Sequence, residues 1–295
     1  MKKVLVFTKS SGWEHDAIKT DGRTGHGFAF RVLEELGAKE RIAFTFSKDG
    51  SLFAPAYLAQ FDAFLFYTSG DLTTRHDSLG RGDDNPVMTA AGKAALLAAI
   101  AGGKGFVGVH SADDTFHGPG DDEDGPARHR ANGEQADPYI KMLGGEFIRH
   151  DAQQRAHLIV VDGKFPGMSA VPADFAPLEE WYANKNFAPD LHVLQVLDTR
   201  GMTGPHYARP AYPVTWARLE GKGRVFNTCL GHREDIWTNP VFQSVLVGGL
   251  DWALRRVDAD VTPNLAQVAP GANALPDYVA PAKKSEPAPS SGEKK

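Results

Sequence analysis

The sequence predicts an α/β fold: a doubly wound, mainly parallel sheet with helices on both faces. Three observations carry this. Short, wholly apolar runs recur at residues 4–7, 63–67 and 105–109, as in parallel strands buried on both faces. Segments of helical periodicity alternate with them. Each apolar run is followed by a polar segment, and right-handed crossovers bring such strand-to-helix loops to one edge of the sheet.

The first strand, residues 4–7, leads into the polar loop 8–16. Phe28, Val32, Leu33 and Leu36 then recur at helical spacing, with Gly37 as the expected stop, and Ile42, Phe44 and Phe46 alternate as a strand. A short helix over 56–60 precedes the strand 63–67 and the loop Thr68-Ser-Gly-Asp71. After Pro86 an alanine-rich helix, 89–101, ends at Gly102-Gly103 and gives way to the strand 105–109. Residues 117–135, rich in Gly and Asp, are too long for a simple connector and read as a lid or insertion. Within them Asp121-Asp-Glu-Asp124 lacks the alternating frame of a calcium loop and reads as a solvated acidic loop. Further strands are expected at 158–161 and 193–197, and 213–219 pairs with 224–229 as a hairpin across Glu220-Gly-Lys-Gly223. In the closing helix Asn239 is the cap, Pro240 occupies the first turn, and Phe242, Val245, Leu246, Gly249 and Ala253 share one face. The domain is placed at residues 1–258, and residues 259–295, dominated by Pro, Ala, Ser and Lys, read as a largely disordered tail.

With 295 residues, 42% of them hydrophobic, the chain can bury a large core, and no apolar run approaches the roughly 20 residues that span a bilayer. A formal net charge of −5 offers no general attraction to nucleic acid or to an anionic membrane surface, so the expected partner is a small polar molecule. The sequence does not exclude a homo-oligomer. No export signal precedes the first strand, which points to the cytoplasm, or to the periplasm if a signal has been removed. The single cysteine, Cys229, rules out an intramolecular disulfide; inside an apolar strand it reads as a small hydrophobe.

Chemistry-bearing residues collect after the strands. Gly105-Phe-Val-Gly-Val-His-Ser-Ala112 is a strand entering a sharp turn, the place where related sheets carry a nucleophile in an elbow of the form G-x-nucleophile-x-small. Here His110 occupies it. An imidazole is a poor acyl nucleophile but serves as base, electrophile or metal ligand; the alternative is a histidine hydrogen-bonded inside the turn. Ser111, one place late for the elbow, is the candidate for a hydrolase. His15 follows the first strand and Asp71 the third, and His232 follows the hairpin if its second strand runs in the same direction. His15, His110 and His232 are thus candidate ligands for a divalent metal such as zinc. Glu179-Glu180-Trp181-Tyr182 sets carboxylates beside rings, which suits a sugar: Glu180 as an assisting acid or base, Trp181 and Tyr182 as stacking surfaces. The alternative there is a solvated acidic turn anchored by Trp181. His26, His76, His129, His192 and His206 read as surface or packing residues.

Together these segments resemble the ThuA-like (trehalose utilisation) family over roughly residues 2–256. The resemblance rests on Lys3-Val-Leu-Val-Phe-Thr-Lys-Ser-Ser-Gly-Trp-Glu-His15, Phe106-Val-Gly-Val-His-Ser-Ala112 with Asp114-Thr-Phe116, Leu143-Gly-Gly-Glu-Phe147 with His150, Pro213-Val-Thr-Trp216, Gly221-Lys-Gly-Arg-Val-Phe226, Leu230-Gly-His232 and Trp252-Ala253. It implies a flavodoxin-like, class I glutamine amidotransferase-like sheet without the amidotransferase cysteine and a role in sugar catabolism beside oxidoreductases that make 3-keto sugars. On that basis His110, Glu180 and His232 are the catalytic candidates, and His15, Asp71, Ser111, Asp114, Trp181 and Tyr182 the substrate-binding ones. The family's Asp-Glu pair appears here as Glu179-Glu180, and the His-Pro before its late Trp as Tyr212-Pro213. Three readings stand: a lyase, hydrolase or isomerase acting on an oxidised carbohydrate, a non-catalytic carbohydrate-binding or regulatory protein, and a serine hydrolase using Ser111.

Overall fold

The computed structural model describes residues 1–20, 27–118, 125–275 and 277–278. His26, the acidic run 121–124, part of the expected lid and the end of the expected tail lie outside them. Strands β1 (Lys2–Phe7), β2 (Ile42–Ser47), β3 (Ala63–Phe66) and β4 (Gly105–Val109) are joined through helices α1 (Phe28–Glu40), α2 (Pro55–Leu58) and α3 (Ala90–Ala101). Helix α4 (Pro138–Leu143) precedes the short strands β5 (Glu146–Arg149), β6 (Gln154–Arg155), β7 (Leu158–Val160), β8 (Leu178–Glu179) and β9 (Ala183–Lys185). Strands β10 (His192–Leu197), β11 (Tyr212–Glu220) and β12 (Gly223–Thr228) follow, then helices α5 (Glu234–Trp237), α6 (Pro240–Ala253) and α7 (Leu265–Val268).

Eight strands form one sheet in the order β2-β1-β3-β4-β12-β11-β10-β7. The first five are parallel, and β11, β10 and β7 complete the sheet in antiparallel fashion. β12 therefore runs with β4 and delivers His232 to the same edge as His110. The order of the parallel part reverses between β1 and β3, which makes the carboxyl end of those strands the crevice where doubly wound sheets bind ligands. β5 pairs with β9, and β6 with β8, as two small ribbons.

The core follows from the alternation of side chains along buried strands. Val4 and Val6 of β1 face one apolar layer together with Leu65, Val107, Leu33 of α1 and Leu246 of α6. Leu5 and Phe7 face the other, with Phe64, Phe66, Phe106, Leu96 of α3 and Ile140 of α4. Helix caps match the sequence: Thr89 accepts from Gly92 N, and Asn239 accepts from Val241 N with Pro240 in the first turn.

Two expectations need correction. Gly37 does not stop α1, which runs to Glu40 and is capped by Arg41 in the left-handed conformation at φ 57°. Gly37 is instead a packing glycine, since a Cβ there would meet Ile42 O at 2.8 Å and the Phe44 ring at 2.9 Å. The packed chain also extends past residue 258. Leu265, Ala269 and Ala272 are buried, Asn264 bonds Val193 N and O through its side chain, and Asn273 does the same for Phe187. Two asparagine amides thus satisfy backbone groups as a neighbouring strand would, a contribution that apolar patterning cannot reveal.

Candidate functional site

The loops leaving β1, β3 and β4 are tied together at the carboxyl edge. Isolated bridges join Ser10 to Ser69 and Gly70 to Thr115, and Ser69 O accepts from both Ser11 N and Gly12 N. Gly70, at φ 73°, lies so close that a Cβ would reach Gly12 N at 2.4 Å, so only glycine fits.

His110 heads the turn after β4 with φ 46°, a left-handed conformation unusual for a non-glycine residue, as expected of a strained elbow. The small residues of the elbow pattern have physical causes. A Cβ on Gly108 would meet Asn227 Oδ1 at 2.1 Å and Ala112 Cβ at 3.1 Å. The turn aims the imidazole at His15 and His232, whose ring centroids lie 4.7 and 5.2 Å from it.

Four side chains converge here: one ligand-capable atom each of His15, His110, Glu180 and His232 lies within 4.8 Å of the others. His232 Nδ1 is 3.3 Å from His110 Nε2 and 3.1 Å from Glu180 Oε2, and His110 Nε2 is 3.6 Å from the same oxygen. A tetrahedral ion with bonds of about 2.0–2.1 Å sets its ligands about 3.3 Å apart, so His110, His232 and Glu180 are near ligating distance, and His15 stands within 4.8 Å of them. Polar neighbours surround the cluster. His110 Nδ1 is 3.0 Å from Cys229 O, so it carries the proton and turns the Nε2 lone pair to the cluster. His15 lies 3.4 Å from Ser111 Oγ and 3.3 Å from Tyr182 OH. Gln153 Nε2 stands 2.9 Å from His232 Nε2, and His150 Nδ1 lies 3.4 Å from Glu180 Oε1.

The electrostatics suit cation binding. Burial, reinforced by His110 and His232, holds His15 well below the ordinary imidazole value, and burial likewise depresses His110, so both are neutral near pH 7. Burial alone would raise the Glu180 carboxyl, but its interactions with the adjacent His110 and His232 rings outweigh it and keep the group far below the usual carboxylate range. His232 is raised, because its pairing with Glu180 exceeds the effect of burial. A cation bound here would replace the contact between Glu180 and His232 with its own charge.

A cavity of about 950 Å³ opens onto this floor, with walls that include Trp13, Asp16, Arg81, Asp114, Arg128, Phe147, Arg149, His150 and Arg233. Tyr182 belongs to it as expected. Asp114 does too, but its Oδ1 is held by His117 Nε2 at 2.6 Å and Arg128 at 2.7 Å, which keep it ionised against the effect of burial. Ser111 is fully buried beside His15 rather than poised in the elbow. Two assignments do not fit. Trp181 is wholly buried with its Nε1 bonded to Gln154 O, so it is core and offers no stacking face. Asp71 is exposed and closes its own turn onto Thr73 N and Oγ1, away from the cavity. The Glu179-Glu180 pair is no solvated turn: Glu179 is buried and accepts from Glu180 N and Gly231 N, tying the loop of one candidate ligand to that of another. His150, Arg128 and Trp13 escaped the reading from residues; His150 stood only as a member of the family pattern.

Behind the elbow, Asp113 is buried. Its Oδ2 accepts from Asn184 Nδ2 at 2.7 Å and Cys229 Sγ at 3.3 Å, and its Oδ1 has no hydrogen-bond partner among the described residues. Burial pushes its pKa from 3.8 up to about 7. Cys229, also buried and raised well above the ordinary thiol value, is packing material and not a thiolate. Because the folded pKa of Asp113 lies above the unfolded one, the stability it contributes is complete below about pH 4 and is lost as pH rises to about 7. Wild type minus Asp113→Asn, followed by urea denaturation, should therefore fall by up to about 4 kcal/mol between pH 4 and 8. A pH-independent difference would show that Asp113 is ionised throughout.

The structure thus defines a glutamine amidotransferase-like sheet whose elbow carries a histidine within a histidine–carboxylate cluster in place of a thiol. The trehalose utilisation (ThuA) family model matches residues 3–122 and 126–253, and the chain belongs to that family. A ThuA-like protein from Bacteroides uniformis is 16% identical, covers 90% of this chain and 95% of its own, and superposes with a TM-score of 0.58. One from Parabacteroides merdae is 18% identical, with 95% and 98% covered and a TM-score of 0.53. These likenesses concern the fold. No curated protein matches the chain. Among the described residues no helix is long and apolar enough to cross a membrane.

Proposed function

We propose that this protein is an enzyme that binds one divalent transition-metal ion through His15, His110, His232 and Glu180 and acts on an oxidised carbohydrate, a 3-keto sugar or glycoside. The observation that carries the reading is the convergence of four ligand-capable side chains at the carboxyl edge of the sheet, with His110 and Glu180 each held from outside the cluster. Three imidazoles and one carboxylate suit zinc or a neighbouring transition metal better than magnesium or calcium, which take oxygen ligands. Bound there, the ion would polarise a carbonyl oxygen.

The surrounding residues supply the remainder. A 3-keto group acidifies the hydrogen on the adjacent carbon, so a base can remove that proton while the electron pair moves toward the carbonyl. In an elimination the bond to the glycosidic oxygen then breaks and the departing oxygen takes a proton; in an isomerisation the proton returns to a different carbon. His150, partly exposed beside Glu180, and the ionised Asp114 are two acid–base groups on the cavity wall outside the ligand set. Tyr182 and Ser111 orient His15, and Arg128 fixes Asp114.

The test is turnover of 3-keto disaccharides against their unoxidised parents, with and without a chelator. Chelator-sensitive turnover of the keto sugars alone is expected. Turnover confined to the parent sugars, or unaffected by full removal of metal, contradicts the reading.

A further inference from the structure

We infer that Trp13 forms a second sugar subsite: a platform on which the outer pyranose ring of a disaccharide stacks while the inner unit occupies the histidine–carboxylate floor. The inference rests on the carbohydrate reading above and adds the size of the ligand and the residue that recognises its outer part.

The chain has five tryptophans, and four of them, Trp181, Trp216, Trp237 and Trp252, are 0–1% exposed. Trp13 is 53% exposed and lines the cavity. An indole left in water at a cavity rim forgoes a large burial gain, which a ligand's apolar face can restore. The loop presenting it is braced: Ser69 Oγ donates to Trp13 O at 2.7 Å, and Ser11 N and Gly12 N both donate to Ser69 O. A loop held this way loses little backbone freedom on binding.

Its position sets the size of the ligand. Trp13 precedes His15 by two residues, so at most about 3.3–3.6 Å of chain per residue, over two residues, separates platform from floor. That is the scale of one sugar unit, and the 950 Å³ cavity exceeds what a single hexose would fill. The chemistry on this wall suits a glucose-type ring, which has an apolar C–H face above and below a rim of hydroxyls. Asp16 and Arg81 line the same cavity, and Lys19 Nζ, bonded to Asp16 at 2.7 Å, lies 5.8 Å from the indole centroid.

With the other four indoles buried, iodide quenching of tryptophan fluorescence reads Trp13. The probes are trehalose, its 3-keto derivative and methyl α-glucoside, each also titrated by calorimetry. Disaccharide should at least halve the iodide-accessible fraction. Trp13→Ala should raise the disaccharide Kd about tenfold or more, leave the methyl glucoside Kd within twofold and leave metal content unchanged, and Trp13→Phe should recover most of the affinity. Equal disaccharide binding by wild type and Trp13→Ala overturns the subsite while the carbohydrate reading stands. So does a variant that changes only the oligomeric state, which would make Trp13 a protein contact. If wild type binds none of the three sugars, both readings fall.

Discussion

His110→Ala is expected to lower turnover of a keto-sugar substrate by at least about a hundredfold, the usual scale for removing a positioned acid, base or electrophilic group. The residue is central for geometric reasons. It heads the elbow at φ 46°, its Nδ1 proton is held by Cys229 O, and its Nε2 faces Glu180 and His232. Loss of the imidazole therefore removes one donor and loosens two others. The fold should survive at a cost of about 1–3 kcal/mol, which combines a lost hydrogen bond, a small void and an alanine kept in left-handed space. His110→Asn controls for backbone strain, because asparagine tolerates that conformation without replacing the imidazole. It should match the alanine variant in activity and exceed it in stability. His110→Cys restores the residue type of amidotransferases without their other groups and should gain no glutaminase activity. Full turnover by His110→Ala would remove the elbow from the mechanism.

Glu180→Gln should weaken metal binding by at least about a hundredfold, because outer-partner changes alone commonly cost 10–100-fold and this change neutralises the cluster's one anionic donor. Glu180 Oε2 touches both His110 and His232 at 3.6 and 3.1 Å, so the amide puts a weaker donor between two ligands at once. Turnover should fall with occupancy and recover in part at high metal concentration, which separates a ligand from a general base. Calorimetric titration with zinc reads the affinity. Unchanged affinity with lost turnover would make Glu180 an acid or base and leave the ion, if any, to the histidines.

The parts of this molecule that were legible in its sequence are those written by strong local physics. Buried parallel strands need unbroken apolar runs, so β1, β3 and β4 stood out, and each had to end in polar residues at the edge, which located His15 and His110. His232 depended on the direction of β12, which the residues left open and the parallel pairing of β12 with β4 decides. The misplacements fall where order is non-local. Trp181 was offered as a stacking ring because β6 and β8, two residues each, have no periodicity to show that their pairing turns the indole inward. Asp71 follows a strand as His15 does, yet satisfies its own turn, a choice made by Thr73 alone. Trp13 lay inside a recognised motif, but exposure is a property of the assembled rim, and the packing of residues 262–273 rests on asparagine side chains that resemble a polar tail.

The most direct test of the account is elemental analysis of wild-type protein purified without chelators or a histidine tag, beside a triple variant with alanine at His15, His110 and His232. About one equivalent of a divalent transition metal per chain in the wild type, absent from the triple variant, is predicted. Wild-type protein that retains no metal and, in titrations with zinc, manganese, iron, cobalt and nickel, binds none more tightly than the triple variant would contradict it.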